Sequence, residues 1–446
     1  MPDLLDLQLT EGPFPTILLL LAGLALALTL LLLWRRPLAA GIALVVTVGI
    51  AFAANPLAVN VAGLFPEPLP LEVLLWGAVG VAGVALGIAA ATRAGILKAL
   101  TALGCGVLVL LAGAGEVNGY YARFVTLGDL VGGPPDVAAL PDLLPAPAPA
   151  TPTTPGRPAP VDDPARSGFE KTPVVDRWKG GARGKGGIST ARIPGTISGF
   201  PARDGYVWLP PAYSPTGPRL PVMVVVAGQP GGPADWLTAG RLVSQMDRFA
   251  AAHNGLAPVT VVVDPTGSAF ANTLCLDSAV GKAETYLAKD VPEWITGRLR
   301  VDTNPAHWTF AGFSFGGTCA VQLATRAPDR YGSFIDLQGE QEPTLGPDRG
   351  KTVQQLFGGD KAAFESVLPM TQLTTRRYPE SWAYFASGAK DGQFMAYMNA
   401  VADAAAKAGM KVQRVSVPNQ GHSWNVAVAQ LVPGLEWLSP RLGFTR

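Results

Sequence analysis

The chain has 446 residues, which is more than one ordinary domain contains. Its 34 basic and 33 acidic side chains leave a formal net charge of +1, so no global charge draws it toward nucleic acid, and no nucleic-acid partner is expected. Three cysteines, Cys105, Cys275 and Cys319, form no Cys-x-x-Cys or His/Cys cluster, so neither a metal nor a cofactor is expected.

The first third of the chain is almost entirely apolar and predicts four membrane-spanning helices. Each apolar run has about the 17–25 residues that cross a bilayer, and none has the polar face of a helix in a soluble core. The Arg35-Arg36 pair follows the first run instead of preceding it, which argues against a signal peptide. The runs are Phe14–Leu33, Leu38–Val59, Leu71–Ala91 and Ala99–Gly115.

The charges in the short loops predict the orientation. Basic residues lie between spans one and two and between spans three and four: Arg35, Arg36, Arg93 and Lys98. Acidic residues occupy the other side: Asp3, Asp6, Glu11, Glu67, Glu72 and Glu116. Since positive loops stay in the cytoplasm, we expect a multi-pass protein of the cell membrane in which everything after span four is extracytoplasmic.

A Pro- and Ala-rich segment, Pro134–Pro164, follows the spans and predicts an extended spacer. A Gly-rich basic stretch comes next, with Arg166, Lys171, Arg177, Lys179, Arg183, Lys185 and Arg192. This stretch is either a solvated linker or a contact with anionic headgroups, worth about 1 kcal/mol per basic residue. The predicted domains are therefore a transmembrane domain (1–131), an extracytoplasmic linker (132–195) and a folded domain (196–446).

The last domain alternates predicted strands and helices, which indicates a doubly wound, mostly parallel α/β sheet. The predicted strands are Pro221–Ala227, Val259–Val263, Trp308–Ala311, Ala383–Ala386 and Val412–Val417. The predicted helices are Ala239–His253, Lys282–Leu299, Gly317–Arg326, Gln393–Ala408 and Val426–Leu438.

The third strand runs into Gly312-Phe-Ser-Phe-Gly316-Gly, a G-x-S-x-G pattern between a strand and a helix. In that context the glycines allow a sharp turn that lifts the Ser314 hydroxyl above the sheet, while the helix N-terminus offers N–H donors to an oxyanion. Ser314 is therefore predicted to be a nucleophile.

A serine nucleophile requires a base, and the chain has three histidines. His422 lies in a loop after the last strand, where the chain order Ser, acid, His places the base, whereas His253 and His307 suit structural roles. Asp391, in the turn after the fourth strand, is the predicted acid. Glu380 and Asp403 are alternatives, but Glu380 precedes that strand and Asp403 lies within a helix.

The oxyanion hole requires a second donor from the loop after an early strand. That loop is Ala227-Gly-Gln-Pro-Gly-Gly232, in which Pro230 has no N–H. The predicted donors are the amides of Gln229 and Phe315.

From about Ile193 onward the chain resembles the putative esterase (esterase D) family, which includes mycolyltransferases and S-formylglutathione hydrolases. The motifs that carry the resemblance are Val207-Trp-Leu-Pro-Pro211 before Leu220-Pro221, Glu284-Thr285 with Asp290-Val-Pro292, Gly312–Gly317, and Gly421-His-Ser-Trp424. The resemblance implies an α/β-hydrolase fold with Ser314, Asp391 and His422 as the catalytic triad. Many family esterases have His-Gly where this chain has Ala227-Gly228, and mycolyltransferases use Glu as the acid.

We therefore expect a membrane-anchored extracytoplasmic serine esterase that acts on a lipid or cell-envelope ester at the bilayer, with no obligate protein partner. Aminoacyl-phosphatidylglycerol is one candidate substrate, because some membrane-tethered serine hydrolases of similar layout deacylate it. The alternatives are a mycolyltransferase-like envelope acyltransferase and a non-catalytic envelope-binding protein. Cys275 and Cys319 are predicted to pair in the oxidising space, bracing the nucleophile helix, although two separate buried thiols remain the alternative.

Overall fold

The computed structural model describes residues 4–61, 67–92, 94–132, 136–141, 143 and 169–445. Most of the predicted Pro/Ala spacer, together with Arg93 and Arg166, lies outside this part of the chain. Residue contacts divide the chain into two compact units, residues 1–135 with 344–351, and residues 136–343 with 352–446.

Among its described residues, the first unit has four helices that are long and apolar enough to cross a membrane, and two short elements, Leu4–Asp6 and Leu127–Val131. The long helices are α1 (Pro13–Leu32), α2 (Pro37–Pro56), α3 (Leu71–Ala91) and α4 (Ile96–Tyr121). A π turn, Leu57–Val61, continues α2. Helix α4 has 26 residues, or about 39 Å at 1.5 Å per residue. It extends beyond the predicted fourth span at both ends because Lys98, Glu116 and Asn118 interrupt the apolar pattern there.

Helices α3 and α4 pack through glycines that let their backbones meet. A Cβ atom added at Gly83 would lie 2.4 Å from the Val109 Cβ, and one added at Gly106 would lie 2.8 Å from the Gly83 carbonyl oxygen. Small residues at such interfaces are typical of helix pairs in membranes, where close van der Waals packing drives association.

The described part of the second unit contains a large sheet and a separate hairpin. The strands are β1 (Gly187–Ala191), β2 (Gly205–Leu209), β3 (Val222–Val226), β4 (Val259–Val262), β5 (Asp277–Ser278), β6 (Gly281–Lys282), β7 (Trp308–Phe313), β8 (Ser333–Leu337), β9 (Trp382–Gly388) and β10 (Lys411–Val417), of which β5 and β6 form the hairpin. The other eight form one sheet of order β1-β2-β4-β3-β7-β8-β9-β10. Strands β1–β2 and β2–β4 pair antiparallel, and the other five neighbouring pairs are parallel. Strands β3, β4, β7 and β8 are buried along their whole length, which is the environment expected of central parallel strands.

Three helices in this unit carry or adjoin predicted site residues: the nucleophile helix (Phe315–Arg326), the acid helix (Gly392–Lys407) and the terminal helix (Trp424–Leu442). The remaining helical segments are Val174–Arg177, Ala234–Leu237, Leu242–Ala252, Ala283–Thr285, Tyr286–Asp290 (π), Val291–Arg298, Pro305–His307 (3-10), Arg349–Phe357, Lys361–Val367 and Pro369–Thr375. The mostly parallel α/β architecture agrees with the α/β-hydrolase fold predicted from the sequence.

All five predicted strands are present, but the sequence pattern missed β1, β2, β5, β6 and β8 and the three helices between residues 349 and 375. Strand β8 was not predicted because Ser333 and Asp336 interrupt a short apolar run, although both side chains are buried. Strand β1 lies within the range predicted to be linker, since the glycines that precede it conceal a short edge strand.

Candidate active site

Ser314 occupies a strained turn between β7 and the nucleophile helix. Its φ of 58° lies in the left-handed region that non-glycine residues rarely adopt. A Cβ atom added at Gly312 would lie 2.1 Å from the Gly316 carbonyl carbon, and one at Gly316 would lie 2.1 Å from the Val226 carbonyl oxygen. The two glycines are therefore what makes the sharp turn possible.

His422 lies beside this serine, on the loop between β10 and the terminal helix. Its Nε2 is 2.9 Å from Ser314 Oγ, a hydrogen-bond distance. The imidazole packs against the rings of Phe313 and Phe394, with centroid distances of 5.4 and 4.1 Å. These contacts hold the ring where it can accept the serine proton.

Asp391 faces the other nitrogen of this histidine. Its Oδ2 is 3.6 Å from His422 Nδ1, while its Oδ1 accepts the Phe394 N–H at 3.1 Å and caps the acid helix. The 3.6 Å separation is longer than a hydrogen bond, as catalytic contacts often are before substrate binds. The two alternative acids lie elsewhere: Asp403 pairs with Arg414, and Glu380 precedes β9 at the opposite edge of the sheet.

The two predicted oxyanion donors belong to segments that lie next to the serine. Phe315 is the first residue of the nucleophile helix, where an N–H has no intrahelical acceptor. Gln229 follows β3, and a Cβ atom added at the adjacent Gly228 would lie 3.4 Å from Ser314 Cβ, so this loop passes directly beside the nucleophile.

The oxyanion loop (residues 228–232) is held from two sides. On one side, the Gln229 side-chain amide donates to the Phe270 carbonyl at 3.1 Å, and the Gly231 N–H donates to the Ala269 carbonyl at 2.9 Å. On the other, Arg203 donates to the Gly231 carbonyl at 3.0 Å and to both oxygens of Asp264. Burial alone would raise the pKa of Asp264, but the hydrogen bonds and charge of Arg203 outweigh it and hold that pKa below its ordinary value.

Gln338, which was not predicted from the sequence, holds the histidine loop, the segment between β10 and the terminal helix that carries His422. Its side-chain N–H donates to the Gly421 carbonyl at 2.9 Å, and its side-chain oxygen accepts the Ser423 N–H at 3.2 Å. The two bonds therefore bracket His422, and Gln338 is 1% exposed. No signal in the sequence pointed to this residue, because Gln338 follows β8, a strand that the sequence pattern did not reveal. In the structure it lies at the carboxyl ends of the parallel strands, where ligands bind in such folds.

A buried carboxyl lies close below the nucleophile helix. Asp336 Oδ1 accepts the Gly339 N–H at 2.6 Å, and a Cβ atom added at Gly317 would lie 2.3 Å from that oxygen. Burial raises the pKa of Asp336 to about 7, although the Gly339 hydrogen bond opposes the shift. The space beneath the helix is therefore filled by a group that titrates near neutrality.

A disulfide joins Cys275 to Cys319, with a Cα–Cα distance of 5.6 Å. It ties the loop that follows β4 to the nucleophile helix, and both sulfurs are buried. Cys105, in α4, is a free thiol.

The other two histidines lie away from the serine. His253 stacks on Phe249 and shares a hydrogen bond with its carbonyl, and His307 pairs with Asp302 before β7. Within the described ranges, no group of three or more His, Cys, Asp or Glu could hold a metal ion. The structure therefore brings together Ser314, His422 and Asp391 and leaves the remaining candidates apart.

The second unit is similar in sequence to known proteins. Residues 202–438 match the family described as "Putative esterase". Over 255 residues the chain is 38% identical to an uncharacterized protein of Corynebacterium glutamicum, covering 56% of this chain and 59% of that protein. The chain thus spans about three fifths of the length of the curated relative it matches.

The second unit is similar to several solved structures. A ferulic acid esterase is 16% identical with a TM-score of 0.50, covering 58% of this chain and 98% of its own. An S-formylglutathione hydrolase from Agrobacterium tumefaciens is 17% identical with a TM-score of 0.49, covering 58% and 96%. At such identities, the likeness to the first structure shows a common fold and no more.

Proposed function

Because the chain belongs to the putative esterase family, we propose that it is a membrane-anchored serine hydrolase that cleaves carboxylic esters through an acyl-enzyme on Ser314. The observation that carries this proposal is the 2.9 Å contact between Ser314 Oγ and His422 Nε2 at a strained turn, with Asp391 on the far side of the imidazole. A serine in a merely structural turn has no need of a base.

The geometry supports a two-step mechanism. Ser314 Oγ attacks the ester carbonyl carbon while His422 Nε2 takes its proton, and Asp391 orients the imidazolium and stabilises its charge. The Gln229 and Phe315 amides stabilise the oxyanion, which collapses to the acyl-enzyme as the leaving alcohol takes the proton from His422. Water then attacks the acyl-enzyme as His422 removes its proton. The bond between the acyl carbon and Ser314 Oγ breaks, Ser314 takes the proton back from His422, and the acid is released. An alcohol in place of that water would give acyl transfer.

Active-site labelling and point variants test this chemistry. We expect a fluorophosphonate to label the wild type at Ser314, and Ser314→Ala or His422→Ala to lose about 10³-fold or more of the turnover of a p-nitrophenyl ester. Asp391→Asn should be severely impaired because it stabilises the wrong imidazole tautomer. Near-normal turnover by Ser314→Ala would end the hydrolase proposal.

We further propose that the substrate is a lipid ester, met at the rim of the active site. Phe270 is 65% exposed, and its own carbonyl binds the Gln229 side chain beside the oxyanion loop. An exposed aromatic at this place suits contact with an acyl chain or a lipid surface. The four apolar helices of the same chain support a membrane substrate, of which aminoacyl-phosphatidylglycerol is one candidate.

The basic stretch does not support lipid contact at this rim. Arg177 contacts Glu170, and Arg192 pairs with Asp204. The exposed Lys179, Arg183 and Lys185 precede β1. The start of β1 pairs with the end of β2, and the end of β2 pairs with the amino end of β4. The catalytic residues, by contrast, follow the carboxyl ends of the parallel strands. The basic stretch therefore lies at the end of the unit opposite to Ser314.

Liposomes distinguish a lipid substrate from a soluble one. The full-length protein is incubated with aminoacyl-phosphatidylglycerol, other phospholipids and p-nitrophenyl acetate, with and without a short-chain alcohol that reports acyl transfer. We expect Phe270→Ser to lower release from the lipid and to leave p-nitrophenyl acetate turnover unchanged. The matched control is Val280→Ser, which alters an exposed apolar residue on the β5–β6 hairpin. Turnover of the soluble ester with no release from any lipid would refute the lipid proposal.

We propose that the catalytic unit lies outside the cytoplasm, since the basic Arg35, Arg36 and Lys98 flank the spans on the other side. Single cysteines introduced into a Cys105→Ser background test this orientation, at Trp34 for the cytoplasmic loop and at Lys407 for the catalytic unit. A membrane-impermeant maleimide applied to whole cells should label position 407 and not position 34. The reverse pattern would overturn the orientation.

A further inference from the structure

A cavity of about 390 Å³ opens at the end of the catalytic unit away from Ser314. Its lining includes Pro305, Gly332 and Ser381, which precede β7, β8 and β9 respectively. Ser314, by contrast, follows the carboxyl end of β7, a six-residue strand of about 20 Å. The cavity is therefore a separate site and takes no part in the proposed hydrolysis.

The wall of this cavity is basic. It contains Arg376, Arg377 and Arg441, and the only acidic side chain among its lining residues is Glu380. The lining thus carries three positive charges against one negative charge. Arg376 and Arg377 are exposed on the segment before β9, so their side chains can turn toward a ligand.

Arg441 is the anomalous member of this group. Its Nε is buried, with no hydrogen-bond partner in the described part of the chain. Burial lowers the pKa of its guanidinium below the ordinary value, and the charge of Glu380 opposes that shift. A buried guanidinium N–H left without an acceptor is costly, so such groups are normally paired.

The backbone beside Arg441 leaves room for its side chain. A Cβ atom added at Gly332 would lie 3.0 Å from Arg441 Nη2. The guanidinium therefore lies directly against Gly332, at the wall of the cavity that Arg376 and Arg377 also line.

We propose that this cavity binds a phosphate group, carried either by a membrane lipid or by a small soluble molecule. A phosphate supplies an acceptor for the Arg441 Nε–H, and guanidinium forks bind phosphate oxygens in bidentate fashion. The excess of two positive charges matches a phosphate dianion, and the volume lies within the range of small-molecule sites.

A purely structural Arg441 makes a different prediction. The residue lies in the last turn of the terminal helix, where a cation is favoured by the helix dipole. If this were its whole role, phosphate would leave the stability of the protein unchanged, and substitution of Arg376 or Glu380 would have no effect on phosphate binding.

Calorimetric titration of the full-length protein in a zwitterionic detergent with inorganic phosphate tests the proposal, with sodium chloride at equal ionic strength as the reference. We expect saturable binding that Arg441→Met and Arg376→Gln each weaken about tenfold or more. Glu380→Gln should tighten binding because it removes the opposing charge. Arg330→Gln, an exposed arginine outside the cavity lining, is the matched control and should bind as the wild type does.

A second arm identifies the source of the phosphate. The same variants are reconstituted in phosphatidylcholine nanodiscs with and without phosphatidic acid, and their melting temperatures are compared. Saturable binding of inorganic phosphate that depends on Arg441 supports a soluble ligand, and a rise in melting temperature only with phosphatidic acid, lost in Arg441→Met, supports a lipid. If neither arm gives a signal that depends on Arg441, or if Glu380→Gln weakens binding, the proposal is overturned. Ester turnover is not used as a readout, so the outcome does not depend on the proposed activity.

Discussion

Gln338 gives the sharpest test of how the site is held together. The Gln338→Met substitution keeps most of the side-chain volume but removes the donor to the Gly421 carbonyl and the acceptor for the Ser423 N–H. Each of these two backbone groups costs about 1–3 kcal/mol if it stays buried without a hydrogen-bond partner. Together they favour movement of the loop that carries His422 by about 2–6 kcal/mol, because movement exposes them to water. A shift of about 1 Å at a catalytic group can cost about 10²-fold in rate.

We therefore expect Gln338→Met to lower kcat about 10–100-fold with little change in KM, because the ester still binds but His422 no longer meets Ser314. The assay is p-nitrophenyl acetate hydrolysis by the full-length protein, measured over a pH series together with its melting temperature. In the His422→Ala background, Gln338→Met should have no further effect on kcat, since the two residues act through one group.

Gln322→Met is the matched control. Gln322 is a buried glutamine in the nucleophile helix, and both polar atoms of its side chain are without hydrogen-bond partners in the described structure. Its substitution should therefore leave kcat unchanged. The positioning role of Gln338 is refuted if Gln338→Met has the same kcat as the wild type. It is also refuted if Gln338→Met lowers kcat by the same factor in the His422→Ala background as in the wild type.

Three further outcomes follow from the structure. Folding raises the pKa of Asp336 from 3.8 to about 7, so the folded state holds the proton more tightly than the unfolded state. The melting temperature of the wild type should therefore fall as pH rises from about 4 to about 7, and Asp336→Asn should make that fall smaller. The double variant Cys275→Ser, Cys319→Ser opens a 44-residue loop and should lower the free energy of unfolding by about 4 kcal/mol in denaturant titrations. Equal denaturant midpoints for the double variant and the wild type would contradict this. Gly83→Ile should lower the melting temperature of the helix bundle, whereas Gly77→Ile, whose added Cβ meets nothing within 4 Å, should not.

Local sequence pattern determined much of the site. The elbow around Ser314 could be predicted because its glycines and its strand-to-helix position are encoded within a few residues, and the spans could be predicted because a bilayer demands long apolar runs. Asp391 and His422 were predicted from their places at strand ends, because the carboxyl ends of parallel strands meet at one edge of a sheet.

Tertiary structure alone decided which groups hold that site in place. The contacts of Gln338 reach 83 and 85 residues along the chain, and those of Arg203 with Asp264 reach 61, so no local periodicity reports them. Strand β8 was hidden for a related reason: Asp336 reads as polar in sequence, and only the folded chain shows it buried beneath the nucleophile helix. Sequence pattern specified elements whose cause lies in neighbouring residues. The contacts of Gln338, those of Arg203 with the oxyanion loop and the basic cavity arise where segments distant in sequence meet in the folded chain.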